Sequence, residues 1–371
     1  IPTVIIFWQI VSRAFPPYTS LNSPPLLAYG IMIGLTTLRL RPWLCILAGT
    51  VCAAGYAGLF VYVRYGLEVA RPPEGLPYAA YVNGPLMVLL SGFAAAWVAH
   101  EIRRHLEAAL GEAEARHQVA RLQHDLNAAR TIQQALLPRT SPAIPGFEVA
   151  GWNRSADQTG GDYYDWQALP DGSWLLTLAD VSGHGIGPAM VTAACRAYMR
   201  AGSYYHPDLG SLTARVNQLL ADDLPEGRFV TLAGVHIGPG GGPLHLLSAG
   251  HGPIVLYISA TGQLHDVMPQ DIPLAIAPDA TFGPAQLIDL SAGDMLVLVT
   301  DGFVEWSRPA EGEKRDDFGI ERLRASLKHH AHLPVPDIIH AVAADVSAFA
   351  HGEPQQDDLT MVVIRRTASP S

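Results

Sequence analysis

Two stretches without a single charged residue constrain this chain most. Residues 43–63 form a run of 21, and residues 78–99 a run of 22. At about 1.5 Å per residue, a helix of either length crosses a hydrocarbon core about 30 Å thick. Both are read as transmembrane spans. Residues 26–38 and 1–12 are shorter apolar runs, a length that also suits buried or re-entrant helices. Their pairing with the two longer runs leads us to expect about four spans within 1–99, the first of them truncated because the chain begins at isoleucine.

Basic residues orient this region. Arg39 and Arg41 lie between the second and third segments, and Arg103 and Arg104 follow the fourth. Lys and Arg favour the cytoplasmic side, so the remainder of the chain is expected in the cytoplasm, hung from a multi-pass cytoplasmic-membrane anchor. Arg13, Arg64 and Arg71 fall on the opposite side and argue against this orientation. No basic region and small-residue cleavage site frame residues 1–12, so a secretory signal peptide is not expected. Cys45 and Cys52 lie in a span and Cys195 stands alone, which gives no disulfide framework and no cysteine-based metal spacing. A net charge of −10, with no Lys/Arg cluster beyond the apolar region, excludes nucleic acid as the partner.

Residues 98–137 contain no proline and one glycine, Gly111. Ile102, Leu106, Ala109 and Ala113 recur at four-three spacing. Val119, Leu122, Leu126, Ala129 and Leu136 repeat the pattern out of phase, with the slip near Arg116–His117. We expect a helix over 100–137 with a coiled-coil-like seam, through which the chain forms a homodimer; packing on its own domain is the alternative. Leu137-Pro138 ends it, and 138–145 is a Pro-rich linker.

Beyond Gly146 short apolar runs alternate with turn residues. Strands are expected at 147–152, 174–179, 230–237, 244–248, 254–258, 295–299 and 359–364, and helices at 188–201, 209–220, 319–330 and 335–349. Many strands, with the helices gathered into two blocks, point to an α+β layered domain over 146–366, followed by a tail at 367–371.

Aspartates recur at the ends of these strands. Asp162 follows Gly160-Gly161, Asp180 ends the run from Trp174, Asp301 follows Met295–Val299, and Asp357-Asp358 precedes Leu359. Hard oxygen donors of this kind suit Mg²⁺ or Mn²⁺, and a pair of such ions can activate a bridging water for in-line attack on a phosphoryl group. Each motif alone is weak, since a Gly-Asp turn is usually structural. Their conjunction is what points to a metal cluster.

The motifs then resemble a known family. Ala129-Arg130-Thr131-Ile132-Gln133-Gln134-Ala135-Leu136-Leu137-Pro138, Gly160-Gly161-Asp162-Tyr163-Tyr164-Asp165, Ala179–Gly185, Phe229-Val230-Thr231-Leu232, Ser248-Ala249-Gly250-His251, Thr300-Asp301-Gly302 and Gln356-Asp357-Asp358-Leu359-Thr360 together resemble the SpoIIE-like branch of bacterial metal-dependent (PPM-type) serine/threonine phosphatases. The likeness spans roughly 122–366. It implies an αββα sandwich, two Mn²⁺ or Mg²⁺ ions, and hydrolysis of phosphoserine or phosphothreonine on a partner protein, in such relatives usually an anti-sigma-factor antagonist. Carried over, Asp180 bridges the metals with the Val181 carbonyl beside it, Asp301 and Asp357 hold one ion with Asp358 as the alternative to Asp357, and Asp162 reaches the other. His184 is a candidate general acid, weighed against a turn residue. Asp165 is a candidate to support the ligands from behind. No basic residue is assigned to the substrate phosphate, whose binding is expected to rest on the metals alone.

Two rivals are set against this reading. A nucleotide cyclase would share Gly160-Gly161-Asp162, but Tyr163-Tyr164 stands where that motif has Glu-Phe. A catalytically inactive membrane scaffold is the other, although every expected carboxylate is present.

Overall fold

The computed structural model describes residues 1–22, 27–67, 78–183, 185–206, 208–225, 227–309 and 315–368. The chain divides into two compact units, Ile1–Arg121 and Leu122–Ser371.

The first unit is helical: α1 (Pro2–Val11), α2 (Pro17–Leu21), α3 (Leu27–Thr37), α4 (Pro42–Val61) with a π-helical turn at Tyr62–Gly66, and the start of α5 (Tyr78–Leu136). Its interior is tyrosine-rich. Tyr18, Tyr29, Tyr56 and Tyr81 are buried with Ile6 and Ile33, while Trp8, Val51, Met87 and Trp97 face outward. Helices α4 and α5 touch through glycine: a Cβ on Gly49 would lie 2.8 Å from the Gly92 Cα, so side chains at these positions would force the helices apart. Among the described residues two helices are long and apolar enough to cross a membrane, Pro42–Gly66 and Tyr81–Leu136. The other two expected spans form helices of only 10 and 11 residues, shorter than a perpendicular crossing needs. Residue 26 and the expected outer-side Arg71 lie outside the described residues.

The second unit is a four-layer sandwich. One antiparallel sheet has the order β1 (Phe147–Arg154), β12 (Leu359–Arg366), β9 (Met295–Val299), β6 (Ile254–Ile258), β7 (Gln263–Asp266). The other runs β2 (Asp162–Ala168), β3 (Trp174–Val181), β4 (Val230–Ile237), β5 (Leu244–Ala249), β8 (Gln286–Ile288). A short hairpin, β10 (Ser307–Pro309) with β11 (Arg315–Asp317), lies apart from both.

Period-two alternation explains the layers. In β12, Leu359, Met361 and Val363 pack toward the cluster that includes α9 (Gly319–His330) and α10 (Val335–Phe349), while Val362 and Ile364 enter the core between the sheets. In β3, Leu176 and Leu178 take the inter-sheet side, and Leu175, Ala179 and Val181 join the cluster with α6 (Ile186–Gly202) and α7 (Leu209–Asp223). Strands buried on both faces read as unbroken apolar runs, which is why these were legible in the sequence. The expected αββα sandwich is what the chain forms.

Candidate metal centre

The same alternation sets which acids enter the cleft. Asp180 shares the parity of Leu176 and Leu178, and Asp162 that of Tyr164, so both lie on the inter-sheet side at the end where the apolar core stops. They are register partners across β2 and β3. From the opposite sheet, the hydroxyls of Thr300 and Thr360 donate to Asp162 Oδ2 at 2.9 and 2.5 Å.

The electrostatics are those of crowded like charges. Burial pushes the Asp162 carboxyl well above the usual carboxylate range, helped by Asp180 and Asp358 and opposed by the two threonines. Asp180 is pushed up to about 7 by burial and then by Asp301 and Asp357. Asp301, which starts the short helix α8 (Gly302–Glu305), is pushed up to about 6 by burial, Asp357 and Glu305. Such a cluster is unfavourable when ionised unless a cation lies among the charges.

Asp357 and Asp358, alike in the sequence, differ in the structure. Asp358 is buried, and its oxygens accept from the amides of Ala156 (2.8 Å), Gly161 (2.7 Å) and Asp162 (3.4 Å). Its carboxylate is consumed in holding the Gly160–Asp162 turn, and a Cβ on Gly160 would collide with it. Asp357 is exposed, with Oδ1 accepting the Asp358 amide at 2.7 Å. Gly161 is required next to the Val181 carbonyl: a Cβ there would lie 2.7 Å from that oxygen and 3.4 Å from Asp180 Oδ1.

A pocket of about 200 Å³ opens at this end, lined by Thr159, Gly161, Gly183, Gln356, Asp357 and Asp358. Among the described residues no three His, Cys, Asp or Glu side chains converge closely enough to hold a metal ion by themselves. The donors that do gather, carboxylates and a backbone carbonyl, are all hard oxygens and fit Mg²⁺ or Mn²⁺ with water completing the shell.

Other expected residues fall elsewhere. His184 lies outside the described residues. Asp165, of opposite parity to Asp162, turns away from the cleft and pairs with Arg196 and Arg200 of α6, so it ties helix to sheet instead of backing the ligands. His251 is a buried hydrogen-bonder: its Nδ1 meets Thr231 Oγ1 at 3.0 Å, and its main chain exchanges bonds with Ser248 Oγ. Gln133 also bears on this turn. Near the C-terminus of α5, its side-chain amide brackets Gly160, donating to the carbonyl at 2.6 Å and accepting from the amide at 3.1 Å. Only its place in the Ala129–Pro138 motif could have pointed to it.

Residues 170–367, just over half of the chain, match the Stage II sporulation protein E (SpoIIE) family. The chain belongs to this family. Protein IcfG of Synechocystis sp. is 24% identical over 269 residues, which cover 65% of this chain and 41% of IcfG, so the chain spans about two fifths of that relative's length. Among solved structures, the SiaA-PP2C domain of Pseudomonas aeruginosa superposes with a TM-score of 0.58 at 23% identity, covering 67% of this chain and 98% of that domain. The RsbU and RsbW domains of a Mycobacterium tuberculosis protein give 0.52 at 23% identity, covering 62% and 63%. The SpoIIE-family unit of this chain therefore has the PP2C-type phosphatase fold.

Proposed function

We propose that this SpoIIE-family chain is a metal-dependent phosphoprotein phosphatase, anchored in a membrane through 1–99 and linked by the helix at 100–137 and the segment 138–145 to a catalytic domain at 146–366, with a tail at 367–371. The observation that carries the reading is the pairing of Asp162 with Asp180 in the cleft, with Asp301 and Asp357 close enough to raise the Asp180 carboxyl. When bound, two Mg²⁺ or Mn²⁺ ions supply water activation and charge neutralisation for phosphomonoester hydrolysis. Asp180 and the Val181 carbonyl would serve both ions, Asp301 and Asp357 would help to hold one of them, and Asp162 would help to hold the other. Asp358, held by three backbone amides, sets the turn that presents Asp162 and is not a ligand. Thr300 and Thr360 fix the Asp162 carboxylate before any ion arrives, which limits the reorganisation that binding costs.

The substrate we propose is a phosphorylated regulatory protein of the anti-sigma-factor-antagonist class, a reading supported by the family and by the likeness to a domain of the RsbU type. Membrane anchorage is supported by the two long apolar helices and the outward-facing apolar side chains of the first unit. Dimerisation through α5 is supported by the exposed Leu106, Leu110, Val119 and Leu122 along it. The test is to assay the full chain, purified in detergent with Mn²⁺, on p-nitrophenyl phosphate, a phosphoserine peptide and GTP. Hydrolysis of the first two is expected. Cyclisation of GTP, or no turnover of any of them by a chain that binds Mn²⁺, would refute the reading in favour of the cyclase or the inactive scaffold.

A further inference from the structure

The pocket has an imbalance of charge. Asp357 and Asp358 line it, Asp162, Asp180 and Asp301 stand close by, and no described Lys or Arg is among its lining residues. A phosphomonoester carries between one and two negative charges near neutral pH, so such a site repels it unless cations intervene. Among the described residues, Arg228 brings a cationic side chain to the rim through its contact with Gly183.

Arg228 stands just before β4. Its Nη1 donates to the Ser182 carbonyl, and its guanidinium lies on Gly183, where a Cβ would collide with Nη1 and approach Cζ to 3.1 Å. Gly183 has φ +93°, a conformation that favours glycine, and it lines the pocket. Its carbonyl lies 3.5 Å from the point where a Cβ on Gly161 would stand, a point that is also 2.7 Å from the Val181 carbonyl and 3.4 Å from Asp180 Oδ1. Gly183 is thus the common neighbour of the guanidinium and of the oxygens proposed to hold metal.

The backbone carrying Arg228 is pinned to the same loop. The Phe229 amide donates to Ser182 Oγ at 3.1 Å, and the Ser182 amide donates to the Phe229 carbonyl at 3.0 Å. Arg196, Arg200, Arg308, Arg322 and Arg365 are each paired with a carboxylate. Arg228 has no such partner among the described residues; it is exposed, with Nη1 anchored to the Ser182 carbonyl. An exposed guanidinium held by one nitrogen beside an acidic cleft can receive an oxyanion in the forked geometry that lysine cannot reproduce.

We infer that Arg228 binds the phosphoryl oxygens of substrate and product at the rim of the pocket, an assignment that rests on the phosphatase reading above. It replaces the expectation that phosphate is held by the metals alone.

The experiment uses the full chain in detergent with saturating Mg²⁺, and measures binding of inorganic phosphate by equilibrium dialysis alongside binding of Mg²⁺ by calorimetry. Arg228→Ala is expected to weaken phosphate binding on the order of tenfold, with Mg²⁺ affinity unchanged, and Arg228→Lys to fall between the variant and wild type. With p-nitrophenyl phosphate the loss is expected mainly in KM. Wild-type phosphate affinity in Arg228→Ala, in a chain that still binds Mg²⁺, overturns the assignment and leaves the phosphatase reading standing. A wild-type chain that binds neither Mg²⁺ nor phosphate overturns both.

Discussion

Asp162 and Asp180 face each other as register partners on adjacent antiparallel strands, and Asp162 is gripped at the same time by Thr300 and Thr360 from the opposing sheet. With Asp162 buried and Asp180 half-buried, the two carboxylates are unfavourable as a pair of ions unless a cation lies among the charges. The pair joins the two halves of the sandwich at one point, so the fold and the proposed chemistry share residues there.

Metal removal should therefore have a pH signature. Asp180 titrates at about 7 and Asp301 at about 6 in the metal-free fold, against roughly 4 in the unfolded chain. Between these values the native state holds more protons than the unfolded one, so metal-free stability falls as pH rises through that window and stays low above it. Mn²⁺ should raise the unfolding temperature little near pH 5 and strongly near pH 8, where the difference is on the order of 2–4 kcal/mol. Thermal unfolding with and without chelator checks this, because groups away from the ions cancel in the comparison. An equal metal effect at both pH values would contradict it.

Asp357 and Asp358 should separate cleanly. Asp358→Asn places an amide NH₂ or a weaker acceptor against three backbone donors and is expected to destabilise the fold by about 1–3 kcal/mol. Asp357→Asn relieves the repulsion on Asp180 and Asp301, so it should leave the metal-free chain at least as stable as wild type, and it should weaken Mn²⁺ binding about tenfold or more. Reversal of the two phenotypes, by calorimetric titration and thermal unfolding, would show that the ligand is Asp358.

Gln133→Ala removes both hydrogen bonds to Gly160 and frees the turn ahead of Asp162. The expected result is a loss of activity on the order of tenfold, from displacement of Asp162, with stability lowered by about 1–2 kcal/mol. Gln133→Glu keeps the length and loses the donor to the carbonyl, and should fall between. Unchanged Mn²⁺ affinity and unchanged kcat in both variants would reduce the contact to a packing detail.

His251, bonded to Thr231, gives a pH signature of opposite sign. Burial pushes its pKa down to about 4, so the native state binds fewer protons than the unfolded chain between about 4 and 6.5. Its contribution to stability is lost as pH falls through that range, at up to about 1.4 kcal/mol per pH unit. A His251→Gln variant should show a flatter acid limb than wild type in unfolding measurements between pH 6.5 and 4. Parallel limbs would mean that the imidazole is protonated in the fold.

How much of this was legible before the structure depended on burial. Met295–Val299 and Leu359–Ile364 are buried on both faces and announce themselves as apolar runs, as does Trp174–Ala179. Strand β2 was passed over because Tyr163, Tyr164, Asp165 and Trp166 mix polar atoms into both of its faces, with Asp165 satisfied by arginines 31 and 35 residues away. Strands β7 and β8 are short and largely exposed, and the β10–β11 hairpin stands apart from both sheets. That Asp162, Asp180, Asp301 and Asp357 stand at strand ends was readable from the apolar runs beside them. Which of Asp357 and Asp358 turns inward was not, since neighbouring residues differ only in which backbone amides they meet. Gln133 and Arg228 contact backbone 27 and 46 residues away, and no local pattern encodes such contacts.

The central claim is that Asp180 organises a divalent-metal site for phosphomonoester hydrolysis. Its most direct test is turnover of p-nitrophenyl phosphate by full-chain Asp180→Asn at saturating Mn²⁺, with thermal unfolding confirming that the variant is folded. A fall in kcat of about a hundredfold or more, with Mn²⁺ binding weakened in parallel, is the predicted result. Wild-type turnover by the folded variant would contradict the account.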